Sequence, residues 1–451
     1  MSQEFKRILT AGIAAAAILS GIGSAQAGAF AIREQSAEDL GDAFAGAATS
    51  GSSLSSMFWN PATMTSHKGW QSTSAFSAIL PYASIKRTAG GTSANNSGNI
   101  GEAALVPSLA TSYQINDNLW AGLSINSPFG LSTKSKALWA ASIYGISSDV
   151  RTVDIRPTIA YKLNDMISFG IGLDVQRFSL HLTNQDPAFV ALRNPALAGL
   201  VDDLHGSSWG VGVTAGVTIK PAEGTEIGIG YRSQIRQNVH GTLSSVFLNS
   251  LFPGQGLATG ASVKSSVTLP DQVNIGLRQR ISDQFTALAG FEWTHWSIFN
   301  KFPVRLASSG QQVNTLAFVY RNGWMASLGG EYKATSNLTF RGGLAYELSP
   351  ITDVVRGVRL PDSNRIWTTA GLSYAVDKKL SFDVGYAHIF AKKAPIAITN
   401  GNPGYNPLLP VQFFGTTSSH VDIVSVGLNY RWDDPKEMEA VPAQKAIVRK
   451  Y

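Results

Sequence analysis

Proton-moving chemistry near neutral pH would fall first to histidine. The chain has seven: His67, His181, His205, His240, His295, His388 and His420. They are scattered. None lies in an H-x-x-x-H pair, which would set two metal ligands on one helix face, or near a G-x-S-x-G nucleophile elbow. There is no Cys, so neither a thiolate metal site nor a disulfide framework is available. Gly210–Gly216 ("GVGVTAG") and Ile227–Gly230 ("IGIG") imitate phosphate-binding loops, but their strict period of two marks them as strand. The sequence therefore predicts no catalytic site, no metal and no cofactor. A Ser beside a His at a membrane rim, acting on lipid esters, is the enzymatic alternative.

Charged residues are few and patterned. They make up 15% of the chain, against about 25% in an average soluble protein. The net charge of +6 is dispersed, which argues against nucleic acid as a partner. By strand parity Arg156, Arg232, Arg236, Arg278 and Arg341 share a face with Asp154, Asp174, Glu292, Glu347 and Asp383. Similar numbers of acids and bases predict ion pairs. One Arg left over could hold a carboxylate bidentately, and Arg232 and Arg341 are the candidates.

The elements that would position these residues are strands. Ile167, Phe169, Ile171, Leu173 and Val175 alternate with Ser168, Gly170, Gly172, Asp174 and Gln176. Trp209–Ile219 and Val424–Trp432 repeat the pattern. In a soluble sandwich the second face would be charged. Here it is small and weakly polar, which suits a crowded interior. Short turns fall at 116–118, 164–165, 222–224, 282–283, 335–337 and 377–379. Long connections fall at 87–101, 128–148, 184–205, 244–260, 300–314, 350–362 and 393–418. Six short turns alternating with seven long loops give fourteen strands. This is the signature of an antiparallel outer-membrane β-barrel, closed because lipid offers a free strand edge no partner. Tyr113, Tyr161, Tyr332, Tyr374 and Tyr430 stand next to short turns or the chain end and predict an interfacial girdle.

The remaining segments fit export to that membrane. Lys6 and Arg7 precede an apolar run and an A-x-A site at Ala25 and Ala27, so residues 1–27 read as a signal peptide and Gly28 as the mature start. Residues 28–66 do not alternate. Ser36 and Asp39 resemble a capping box, and Leu40, Ala43, Phe44 and Ala47 follow at helical spacing. "MFWNPA" comes next, and its Asn-Pro predicts a turn or an extended exit. A fourteen-stranded barrel has interior room, so 28–66 is expected to be a plug, or hatch, with Met57, Phe58 and Trp59 on the inner wall. Glycines two apart on the strands would let it approach closely. The barrel is expected over 67–432 and a polar periplasmic tail over 433–451.

Six stretches now stand in order along the mature chain. They are Asn60-Pro61-Ala62, Ser127–Thr133 ("SPFGLST"), Gly230–Ser233 ("GYRS"), Leu269-Pro270, Trp293–Phe299 ("WTHWSIF") and Leu360–Tyr374 ("LPDSNRIWTTAGLSY"). Together they resemble the FadL family of outer-membrane long-chain fatty acid transporters, which also includes aromatic-hydrocarbon channels. The resemblance implies a fourteen-stranded barrel with an N-terminal hatch that includes Asn60, Pro61 and Ala62. It also implies a monomer in a Gram-negative outer membrane, in contact with its lipid and lipopolysaccharide.

The function it implies is passive. External loops capture a hydrophobic solute, which moves to a deep site beside the mature N-terminus and leaves sideways through the wall near a kink in the third strand. Phe30, the third mature residue, matches the family's deep-site Phe. Pro128, Phe129 and Gly130 lie where the kink would be, since Pro cannot complete a strand ladder. Leu138, Trp139 and Ile143, facing Phe189, Leu192, Leu197 and Leu200, would form the capture groove as short amphipathic helices. The alternative is a loop pair that packs shut. Neutral aromatic hydrocarbons are the alternative solute.

Overall fold

The computed structural model describes residues 28–433. The expected signal peptide and all of the expected tail after Asp433 lie outside the described residues.

Twenty strands follow in order. They are β1 (Trp70–Gly90), β2 (Ala104–Gln114), β3 (Leu119–Asn126), β4 (Gly130–Lys134), β5 (Ser147–Lys162), β6 (Ile167–Gln185), β7 (Val201–Ala222), β8 (Thr225–Arg232), β9 (Ile235–Ser244) and β10 (Ala261–Leu269). Then come β11 (Gln272–Arg280), β12 (Phe285–Thr294), β13 (Lys301–Leu306), β14 (Gln312–Ala317), β15 (Gly323–Lys333), β16 (Leu338–Leu348), β17 (Arg365–Ala375), β18 (Leu380–Ala391), β19 (Ala394–Ile398) and β20 (Phe413–Arg431). Each pairs antiparallel with its neighbours, and β20 returns to β1 with Gln71 opposite Arg431. Interruptions split six of the staves, as β3/β4, β8/β9, β10/β11, β12/β13, β14/β15 and β18/β19. The twenty strands are thus fourteen staves of one closed barrel among the described residues.

All six short turns fall where Asn, Asp, Gly and Ser cluster, and Asn or Asp oxygens cap several of them, as at Asn164 and Asp377. The long connections are more structured than their composition predicts. Residues 301–317 form the hairpin β13–β14, and β6 and β7 stay paired from Ile167 to Gln185. Pairing satisfies backbone groups that a bare loop would leave to water.

Parity holds where a stave is continuous. Phe169, Ile171, Leu173, Trp209, Val211 and Val213 are exposed on the outer wall, while Gly170, Asp174 and Gln176 are buried in the lumen. It fails across a break. Arg232 points inward at the end of β8, but two residues outside the strands, Ser233 and Gln234, precede β9, with Ser233 N still donating to Val213 O at 2.8 Å. Ile235 then takes the inward position, and Arg236 is exposed on the outside rather than inside.

Residues 28–65 lie almost wholly buried inside the ring. The helix expected to run through Ala47 stops after Ala37–Leu40, capped by the Ser36 hydroxyl. Ala43 and Phe44 adopt positive φ and turn the chain back. Asn60 is extended, as a residue before Pro should be. The expected exit from structure does not follow, because Pro61 opens a 3₁₀ turn over Pro61–Ser66. Pro lacks only an N–H that the first turn would leave free anyway. Asn60 holds the corner together. Its Nδ2 donates to Ala48 O at 2.7 Å and Val217 O at 2.9 Å, and its Oδ1 accepts from Ala62 N. The wall must be thin here: a Cβ on Gly228 would collide with Ala48 O, and one on Gly230 with Trp59 O. The apolar cluster expected on the inner wall packs partly against it and partly on its own segment. Met57 and Met64 pack with Leu54, Trp120 and Ala160, and Phe58 and Trp59 pack edge-to-face.

Candidate functional site

Two side-chain systems line the lumen. Toward the short turns it is charged and filled. Arg33 on the N-terminal segment reaches Glu292 at 2.6 Å and Glu347 at 2.8 Å. Arg156 joins Asp174 at 2.5 Å and Asp154 at 3.3 Å, and also donates to Met57 O and Phe58 O. Arg341 pairs with Glu38 and Glu331, each at 3.1 Å, and Arg278 pairs with Glu331. These pairs clamp segment 28–66 to the wall. Arg232 donates to Phe58 O and lies over the Phe58 ring at 4.2 Å. Arg232 and Arg341, the head-group candidates, thus lie within this zone, and neither lines the large cavity toward the loops.

Toward the loops the lumen opens into a cavity of about 680 Å³. Its floor is aromatic. Phe30 meets Trp296 at 4.7 Å, Phe299 at 5.0 Å and Phe129 at 5.9 Å, and Phe302, Phe318 and Tyr320 extend the cluster. Burial raises the Tyr320 hydroxyl above its usual range, so it stays neutral. Leu131, Ile143, Phe178, Leu180, Phe247 and Leu360 continue the apolar wall. Volume and lining match a small-molecule site for an apolar ligand.

The third stave opens beside this floor. Between β3 and β4 the strand is broken at Ser127, Pro128 and Phe129, although Phe129 O still accepts from Thr152 N of β5 at 3.1 Å. The N-terminal segment fills the gap: Ile32 N donates to Pro128 O at 2.8 Å, Gly130 N donates to Phe30 O at 2.8 Å, and Ala31 bridges Phe129. Gln35 adds a side-chain bond to Ser127 O. Pro128, Phe129 and Gly130 therefore face Phe30 directly. Next to them, Ala29 N donates to Asp362 Oδ2. Gly28 has no room for a side chain, because a Cβ there would meet Glu347.

The capture loops differ from expectation. Residues 138–144 form successive turns rather than a helix, and the second loop has only Ala188–Ala191 and the 3₁₀ turn Pro195–Leu197. The two apolar sets do not face one another. Trp139 is fully buried against Phe413, Leu138 is exposed, and Ile143 alone of the first set lines the cavity. Leu197 packs on the Ala188, Phe247 and Leu409 cluster, while Leu192 is exposed and Phe189 and Leu200 are half-buried. The β6–β7 ladder runs out to Gln185 and Val201, which leaves only residues 186–200 between the two strands.

Sequence reasoning missed Arg359. It reaches the cavity wall from the loop between β16 and β17, one residue before Leu360 of the aromatic cluster. A loop residue has no parity to read. The available signal was an arginine directly preceding the "LPDSNR" stretch. Two pairs of histidines meet, His181 with His205 about Asp203 and His388 with His420, and none bonds a Ser hydroxyl among the described residues.

Residues 18–432 match the family described as Outer membrane protein transport protein (OMPP1/FadL/TodX). The chain is 29% identical over 402 residues to the long-chain fatty acid transport protein of Escherichia coli O6:H1, covering 84% of this chain and 90% of that one. It is 26% identical over 462 residues to outer membrane protein P1 of Haemophilus influenzae, covering 92% and 98%. The fold resembles the crystal structure of a Pseudomonas aeruginosa FadL homologue, with a TM-score of 0.81 at 22% identity over 90% of this chain and 100% of that one. It also resembles the Pseudomonas putida toluene transporter TodX, with a TM-score of 0.62 at 17% identity over 90% and 100%.

Proposed function

The chain belongs to this outer-membrane transport family, and we propose that it takes up long-chain fatty acids passively and releases them sideways through its wall. Membership places it in the outer membrane of a Gram-negative cell and gives it the transport of hydrophobic compounds. The observation that carries the finer proposal is the double position of the Phe30 region. The Phe30 ring floors the cavity, and its carbonyl accepts the bond that closes the gap in the third stave. Segment 28–66 acts as the hatch, and the cavity as the deep site.

The physical case is desolvation. Release into water would cost roughly 0.8 kcal/mol per methylene withdrawn from the apolar site. Release through the gap at Pro128 delivers the chain to outer-membrane lipid and avoids that cost. It also bypasses the polar lipopolysaccharide layer. Each barrel encloses its own cavity and gap, so a monomer suffices.

Uptake of labelled oleate and labelled toluene by cells lacking their own such channel tests the substrate. Oleate entering faster with the protein supports the proposal; toluene alone moves it to neutral hydrocarbons; neither sinks it. The route has its own test. The chain has no Cys, so an A31C/F129C pair would form the one disulfide available. Oxidation should stop uptake and reduction should restore it. Uptake indifferent to oxidation would rule out the lateral path.

A further inference from the structure

We propose that Arg359 anchors the anionic head group of the solute, holding a carboxylate at the loop end of the cavity while the hydrocarbon lies toward Phe30. The proposal rests on the fatty acid reading above and assigns it a specificity-determining residue.

The first argument is charge accounting. The cavity wall carries three charged residues, Asp202, Lys301 and Arg359. The buried arginines Arg33, Arg156, Arg341, Arg356 and Arg365 each meet a carboxylate within 4 Å, while Arg232, which meets none, lies over the Phe58 ring and does not line the cavity. Arg359 meets none among the described residues. Burial pushes it down to about 10, which still leaves it charged at neutral pH. Arg359 is half-buried and Asp202 acts on it only from beyond ion-pair distance, so a ligand carboxylate would supply the close counterion it lacks.

The second argument is the geometry of its donors. Nη1 donates to Ser147 O at 2.7 Å, Thr183 O at 2.9 Å and Ser148 Oγ at 3.3 Å, and Nη2 donates to Asn184 Oδ1 at 3.0 Å. All four acceptors are neutral, and together they fix the guanidinium plane. Among the described residues Nε makes no hydrogen bond and Nη2 uses one of its two hydrogens. The Nε/Nη2 edge, which grips carboxylates bidentately, therefore keeps donors to spare. The Arg359 stem lies over Gly145, where a side chain would displace it.

The third argument concerns the neighbouring acid. Asp202 sits at the outermost end of β7, beyond the lipid-facing band that begins at Trp209. Burial, with the Asp186 carboxylate beside it, pushes Asp202 up to about 8. A carboxyl raised this far carries less than full charge at neutral pH, and its Oδ2 accepts from Asn184 Nδ2 at 2.8 Å, so its repulsion of an anion is weakened. Lys301 is exposed, so its charge is screened by water, and it lacks the fixed plane.

Binding to the purified, detergent-solubilised full-length protein provides the test, with oleate and its methyl ester as paired probes of equal chain length. Trp296 fluorescence is the readout. Arg359→Met should weaken oleate about tenfold or more and leave the ester within about twofold. Arg359→Lys should recover much of the oleate affinity. An equal loss of both probes would make Arg359 a structural tie and overturn the proposal. So would no loss, or a greater selective loss in Lys301→Met. A wild-type protein that binds the ester but not oleate would overturn the anchor and leave hydrophobic transport standing. One that binds neither would defeat the transport reading itself.

Discussion

Toward the short turns, Arg33, Arg156, Arg278 and Arg341 meet Glu38, Asp154, Asp174, Glu292, Glu331 and Glu347, and segment 28–66 fills what space remains. Toward the loops, nine aromatic residues line open volume, with Arg359 at its margin. One wall, with the same inward alternation, supports both. The difference lies in what opposes each inward residue. Where another part of the chain supplies the partner, the lumen is closed and the charge is structural. Where no partner is supplied, there is room for a ligand.

That contrast can be broken from either side. The largest effect is expected from Arg156→Met, which leaves Asp154 and Asp174 buried without a cation. Losing one partner of such a pair costs about 3–5 kcal/mol. The midpoint of denaturant unfolding, followed by the gel shift of the folded barrel, should fall accordingly. Oleate affinity of the folded fraction should stay nearly unchanged. An affinity loss as large as the stability loss would mean that the two zones are not separate.

Phe30→Ala reverses the test. Removing a buried aromatic side chain forfeits roughly 1.5–3 kcal/mol of apolar contact, or about one to two decades of affinity. Binding titrations with oleate and its methyl ester should show the same loss for both probes, unlike Arg359→Met. Gly230→Ala sharpens the boundary between the zones. It should cost about 1–3 kcal/mol through collision with Trp59 O, read as a lower unfolding midpoint. If Gly230→Ala is neutral, segment 28–66 is not seated as tightly as its burial implies. Smallest is Tyr113→Phe on the exposed girdle, where the same unfolding titration should shift by under about 0.5 kcal/mol.

How much could be read beforehand follows the same division. The staves were legible because period two and Asn- or Asp-rich turns are local signals, as at Ile167–Gln176 and Asn164. The break at Pro128 was legible because Pro cannot donate. Arg236 was misplaced because the gap at Ser233-Gln234 resets parity, and nothing local marks a stave as broken rather than ended. The loop clusters were not legible at all. Trp139 packs on Phe413, far along the chain, and Arg359 finds its acceptors on β5 and β6. Such contacts depend on how the staves bring the loops together.

The seam between β1 and β20 has a kinetic consequence. Gln71 pairs with Arg431, so the ring closes only after nearly the whole chain has been made. Pairing so distant in sequence is slow, because the loop entropy is paid before the contact forms. Residues 28–66 come immediately before the first stave and end up enclosed by the others. Until the seam zips, the unpaired edges of β1 and β20 and the apolar face of Phe58 and Trp59 are open to any neighbouring chain. Entry of the segment before closure shields that face, so the order of the two events decides whether the product is a sealed barrel or an aggregate.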